Sequence, residues 1–504
     1  MPDNSRIPVD RGWAWVIAFA YFVGVFCMVG IAKSFGILLP HFVAYFNVPV
    51  ALAALIMGVS GAVYTVAAPI CVTAGQHFTQ RRVVMLGGVI GALGLTLSNF
   101  LFSIEWVILT FGALYGFGNA CLFGNGLVML GQYFSKYRSL ANGLSLTGSS
   151  VGQFVMSPLL QYLLDTYQLR GTLLIIGAIY LHVVVCGSLF TPVSFYTSAS
   201  RRPRKKDQTP EELELVAKVK SWEPNQIVTS SAENEKSAFE NDNDFQNLEK
   251  ERLSGNGESD SLRRRTASHD STENTDESDK SCNASCVNFI MGLLDFRVLT
   301  NVIVLLYVLV SFLVFFGYFN FIMFMPSSAE SKGVVKYNRA YLVSIAGISD
   351  LVGRIVVGIA GDLHFVARYK IMAVAVFLCG LSVLAFDFVE SYWALALFVG
   401  CYGFLGGCYV VVNTPVLIDM VGMQLLPKAL GVVLFIQGIG AAIGQPVLGS
   451  IKDETKNFHA VNYICCVTMV AGSVLLLLYP QVKRVHERRL KMLDTYEIEC
   501  TVNS

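Results

Sequence analysis

Three charged side chains sit inside runs of sequence that are otherwise apolar, and their types and spacing suit the binding of an anion together with a proton. Lys33 lies about two-thirds along the apolar run Trp13–Pro40, and Asp350 and Arg354 lie four residues apart inside Tyr337–Gly361. That spacing puts the carboxylate and the guanidinium on one helix face, where they can pair. An arginine fork matches a carboxylate through two parallel hydrogen bonds, and its charge is effectively permanent. Lysine and aspartate can exchange protons once burial disfavours their charged forms. With Asp350 ionised, two positive charges and one negative leave a net single positive charge, which suits one bound monoanion. A charge at mid-bilayer costs ~2.5–3.5 kcal/mol even on the lenient insertion scale, so such groups face a water-filled cavity or one another and usually serve transport. The competing reading is an interhelical ion pair that only locks the fold. In that case Lys33, about 7 residues or ~10 Å from Pro40, snorkels to the outer headgroups.

The elements that must position these groups are membrane helices. A hydrophobic content of 54% over 504 residues excludes an ordinary soluble enzyme. The net charge of +1 gives no nucleic-acid footprint. The first apolar run lacks a small-residue cleavage pattern after it and is expected to be retained as a helix. The 12 cysteines fall in apolar runs, in the polar centre (Cys282, Cys286) or at Cys500, so no disulfide framework is expected. At ~20 apolar residues per span, twelve spans are predicted, at about residues 13–40, 50–75, 83–103, 106–132, 139–164 and 170–193, then 297–326, 337–361, 368–388, 391–421, 427–451 and 459–480. Residues 1–193 and 291–481 therefore form two six-helix halves, joined by a polar linker over 194–290 with the composition of a disordered segment and followed by a tail over 482–504.

Lys and Arg concentrate in the turns after spans 2, 4, 8 and 10 and after span 12, which places both termini and the linker in the cytoplasm. Lys332, Lys336 and Arg339, after span 7, are the exception. The sequon Asn283-Ala284-Ser285 would then lie on the silent side. The halves also resemble each other. A shift of 288 residues superimposes Ala141, Gly143, Gly152, Pro158, Leu160 and Asp165 on Ala429, Gly431, Gly440, Pro446, Leu448 and Asp453. Two parallel six-helix repeats with a cytoplasmic linker describe the major facilitator architecture, an all-α membrane fold whose substrate site lies near the midplane between the halves.

The turn between spans 4 and 5, Tyr133-Phe134-Ser135-Lys136-Tyr137-Arg138-Ser139-Leu140-Ala141-Asn142-Gly143, resembles a signature of the monocarboxylate transporter family. Asp10-Arg11-Gly12-Trp13-Ala14-Trp15 resembles that family's other signature, with Arg11 where glycine is usual. Lys33 and the Asp350-x-x-x-Arg354 pair resemble the intramembrane charges of the proton-coupled branch. The resemblance implies electroneutral proton–monocarboxylate symport by alternating access across the plasma membrane. Arg354 would bind the carboxylate, Asp350 would couple protonation to occupancy, and Lys33 would bind a proton or the anion. Asp10, Trp13, Lys136 and Arg138 are expected to serve structure or gating. For the tryptophans simple interfacial anchoring competes, and for the basic pair topology alone competes. Gly358-x-x-x-Asp362 resembles a facilitator inner-loop latch.

In the best-studied members an aromatic residue narrows the pocket in helix 10, and Gly406 corresponds to it here, which implies a roomier site. Tyr402, Phe404 and Tyr64 are candidates to line it, with helix packing as the alternative for each. A roomier site keeps open facilitated diffusion of a larger or zwitterionic solute, such as an amino acid, creatine or carnitine. A non-transporting receptor or scaffold is the third reading. Some members of the family reach the surface with a single-span immunoglobulin-like ancillary protein, which the resemblance makes a candidate partner, although nothing in the sequence reports such a need. The seven histidines show no metal-ligand spacing and no nucleophile–base constellation emerges, so neither catalytic residues, metal nor cofactor is expected. His41 is a candidate proton relay or an ordinary interfacial residue, and Arg263-Arg264-Arg265 a kinase site or a solvated charge run.

Overall fold

The computed structural model describes residues 9–100, 103–192, 296–360, 367–422, 425–485 and 488. The linker, the sequon, the arginine run and Asp362 lie outside them. In the first half, α1 is Trp13–Phe46, α2 Val50–Phe78, α3 Gln80–Leu97 and α4 Ile104–Tyr133, the last with a π-helical stretch at Ile108–Leu114. Arg138–Leu146 and Gly148–Tyr180 run on through one apolar stretch, and Gln168, at φ 54 and ψ −173, breaks it. Residues 138–167 are therefore α5 and residues 169–189 are α6. In the second half come α7 Val302–Ser331, α8 Lys336–Ala360, α9 Arg368–Phe388, α10 Tyr392–Val421, α11 Leu426–Thr455 and α12 His459–Leu477. Eleven runs long and apolar enough to cross a membrane thus contain twelve spans, because one run holds both α5 and α6. With no water in the bilayer core, each span must satisfy its backbone internally, and the described residues form helices and no strands.

The ends carrying the start of α1 and the finish of α2 define the proximal face, and the opposite ends the distal face. The halves touch along seams of small residues, which let backbones approach where lipid offers no hydrophobic push. A Cβ added to Gly30 would stand 2.9 Å from the backbone of Gly152, so α1 lies directly on α5. Across the halves, Gly58 of α2 leaves only 2.7 Å for a Cβ against the Ala442 carbonyl of α11, and Gly36 of α1 meets Met323 of α7. Gly347 of α8 abuts the α5 backbone at Phe154, 2.8 Å from an added Cβ. Asp453 caps the seam at the distal end by accepting from the Ala51 N–H at 2.9 Å. Toward the proximal face, a Cβ on Gly143 of α5 or Gly358 of α8 would meet nothing within 4 Å, and Leu140 and Leu144 are exposed. Among the described residues, the close glycine approaches between the halves lie on the distal side and at mid-helix.

Candidate functional site

Lys33 comes from α1 and Asp350 with Arg354 from α8, and the fold brings all three together in a buried cluster. Their relative exposures are 7%, 1% and 9%. The Asp350 carboxylate is the hub. Its Oδ2 accepts from Lys33 Nζ at 3.4 Å, Arg354 Nη2 at 3.0 Å and Ser150 Oγ at 2.6 Å, while Oδ1 accepts from Arg354 Nε at 3.3 Å. Arg354 Nη1 crosses to the Leu146 carbonyl of α5 at 3.1 Å. The cluster therefore ties α1 and α5 of one half to α8 of the other. Its position is set from behind by α10, whose Gly403 and Gly407 press against the α8 backbone at Ala346 and Asp350.

The face of Tyr318, from α7, lies 5.8 Å from Lys33 Nζ, within cation–π range. Tyr318 stacks on Tyr402 at 5.4 Å, and the Tyr402 hydroxyl donates to the Tyr318 carbonyl. The space beside Gly406, expected to make the pocket roomy, is occupied in this structure. A Cβ on Gly406 would overlap the Tyr318 ring, so the space that glycine leaves in α10 is filled by an aromatic from α7. Tyr402 and Gly406, one turn apart, both face α7. Phe404, two residues from each, points roughly 200° away. It lines an apolar groove on the flank of α10 with exposed Leu397 and Cys401, so the structure does not bring it together with Tyr402. Tyr64 packs edge-on against Phe123 of α4, within the first half.

The two signature segments meet at the proximal face. The Asp10 N–H donates to the Tyr133 carbonyl at 3.0 Å, and the Asp10 carboxylate accepts from the N–H groups of Ser135, Lys136 and Tyr137 at 3.1, 3.0 and 3.1 Å. Desolvation opposes its charged form, but the three backbone donors and the Lys136 charge outweigh it and hold the carboxyl below the ordinary 3.8. Positive φ falls at Asp10 and Gly12 and not at Arg11, which explains why a side chain is tolerated where the resembled signature has glycine. Trp13 Nε1 donates to the Leu189 carbonyl at 3.3 Å, tying α1 to the end of α6. Among the described residues neither the Lys136 ammonium nor the Arg138 guanidinium is in salt-bridge contact with a carboxylate; Lys136 lies over the Tyr137 ring and Arg138 over Gly131.

Ser150 and Tyr318 escaped the sequence reading. A serine beside Gly148 and Gly152 and a tyrosine in an aromatic-rich helix carry no mark of their own; only the crossings of α5 and α7 with α8 and α1 bring them to the charges.

The sequence profile described as the Major Facilitator Superfamily matches residues 21–358 and 307–495. The chain belongs to the major facilitator superfamily. This facilitator is also similar to monocarboxylate transporter 12 of Homo sapiens, 28% identical and covering 97% of this chain and 85% of that relative. It is 29% identical to monocarboxylate transporter 9 of Gallus gallus, over 94% of each. It is 28% identical to monocarboxylate transporter 13 of Rattus norvegicus, over 94% of this chain and 90% of the relative. The facilitator is thus a multi-pass membrane transporter with a small-molecule substrate, similar to proteins named monocarboxylate transporters, and not an enzyme.

Proposed function

We propose that this facilitator carries a monocarboxylate together with a proton across the plasma membrane by alternating access, with the proximal face, both termini and the linker in the cytoplasm. The observation that carries the reading is the buried Lys33–Asp350–Arg354 cluster bridging the halves. A substrate carboxylate that reaches the cluster competes with Asp350 for the Arg354 fork. As Arg354 turns to the substrate, Asp350 loses two of its donors, and its carboxylate takes up a proton. Substrate, Lys33 and Arg354 then carry one negative and two positive charges, the same net charge as the empty site, and Lys33 stays protonated and paired with the anion. Breaking the Lys33–Asp350 contact also frees α1 from α8, which couples occupancy to the rocking of the halves.

A labelled panel of lactate, pyruvate, 3-hydroxybutyrate and branched 2-oxo acids, taken up by proteoliposomes under an imposed pH gradient, tests this. Acid on the entry side should accelerate uptake of at least one member, Lys33→Gln should abolish that acceleration, and Arg354→Ala should reduce transport by more than about tenfold. Normal transport by Arg354→Ala, or indifference of every acid to the gradient, would refute the reading. A pH-indifferent signal for creatine, carnitine or an amino acid would select facilitated diffusion of a zwitterion instead.

A further inference from the structure

We propose that Arg339 is a second anion station, at the distal mouth, where a substrate carboxylate takes the place that Glu330 holds in the closed state. The inference rests on the reading of the protein as a carrier of carboxylates and adds an access site that the central cluster does not supply. Arg339 lies in the first turns of α8 with its side chain 9% exposed, and its Nη1 is 2.6 Å from Glu330 Oε2. Its Nε is buried and has no hydrogen-bond partner, an unusual condition for a guanidinium edge. The side chain borders a void of about 10 Å³ lined by Gly36 and His41 of α1, Gln161 of α5 and Pro326 of α7. That volume is about one water. The void is bounded by two helices of each half, so it enlarges as soon as the distal seam parts.

Glu330 is poorly placed to be a permanent partner. Its side chain is 47% exposed, and it sits in the last turn of α7, where the helix dipole disfavours a carboxylate. The surrounding charges fit an exchange. Lys336 lies 3.8 Å from Asp165, which also accepts from the Gln161 amide at 3.3 Å. The His41 Nδ1 is engaged by the Ile37 carbonyl at 3.1 Å. Two cations and two carboxylates balance while Glu330 is docked; once it swings to solvent, the site keeps one net positive charge, as the central cluster does. Arg339 precedes Asp350 by eleven residues, close to three turns, so both lie on nearly one face of α8, about 16 Å apart along its axis. A carboxylate released by Arg339 descends the same face to Arg354.

The test compares Arg339→Gln, Arg339→Lys and Glu330→Gln in cells expressing the full chain, with entry and exit KM measured for the fastest monocarboxylate of the panel. At one membrane face only, Arg339→Gln should raise KM about tenfold, Arg339→Lys should recover part of the loss, and Glu330→Gln should lower KM by freeing the cation. If the pair is only a latch, removing either partner opens it, so both variants would shift KM in the same direction; that result overturns the proposal. Unchanged KM in both variants, alongside an inactive Arg354→Ala, overturns it as well while leaving the functional reading intact. Failure of every monocarboxylate to be carried would refute the functional reading itself, and the station with it.

Discussion

Asp350 accepts four hydrogen bonds, from Lys33, from Ser150 and twice from Arg354, and three of the four converge on one oxygen. A buried charge this well paired is costly to strip of one partner, about 3–5 kcal/mol, so the cluster favours either full occupancy or an incoming group that replaces what leaves. A substrate carboxylate is such a group. Beside it, the Tyr318 ring fills the space that Gly406 leaves, and Gly406→Ala tests whether this pairing bounds the substrate. The added methyl must displace the Tyr318 ring from Tyr402 and push it toward Lys33, an overpacking of about 1–3 kcal/mol. We expect Vmax/KM for six-carbon acids to fall relative to that for three-carbon acids by about fivefold or more. An unchanged ratio would show that Tyr318 does not bound the substrate.

Among the elements, the segment before α1 and the α4–α5 turn behave as one unit through Asp10. Its carboxylate binds three successive N–H groups in the turn just before α5. Asp10→Asn weakens this contact and should lower the Tm of the purified protein. The pH dependence has a definite sign. Because the folded carboxyl titrates below 3.8, its contribution is fully present above that value and is lost only as pH falls through the lower folded value. The Tm difference between wild type and Asp10→Asn should therefore be constant from about pH 8 to 5 and shrink only below the ordinary aspartate range. A difference that shrank near neutrality would point to another group, such as a histidine.

At the scale of the molecule, the proposed cycle moves one anion with one proton. Moving one net charge would couple to the membrane potential by ~2.3 kcal/mol per 100 mV. An electroneutral cycle escapes that cost. In valinomycin-treated proteoliposomes, an imposed potassium potential of about 100 mV should change the initial uptake rate by less than about twofold, whereas an equivalent pH gradient should change it strongly. A large response to potential would mean that Asp350 does not take up a proton when the anion binds. Gly36 and Gly58 bring the halves into backbone contact on the distal side, and Gly347 does so at the level of the charged cluster, an arrangement that suits a carrier binding from one side at a time.

The sequence by itself determined the twelve spans, the two-fold repeat and the charged trio. Apolar runs of about 20 residues have few alternatives to membrane helices, and an ionised group inside one is too expensive to be incidental. The break between α5 and α6 was legible too, since the polar run Asp165–Arg170 interrupts the pattern even where the apolar stretch continues. Tertiary structure alone decided what surrounds the trio. Ser150 reaches Asp350 across 200 residues of chain, and Tyr318 fills the gap at Gly406 from a different helix. Likewise only the packed helices set Glu330 on Arg339 and leave its Nε beside a void. Those facts depend on the register in which helices cross, and register is fixed by small residues meeting in three dimensions, which no local pattern in one helix encodes.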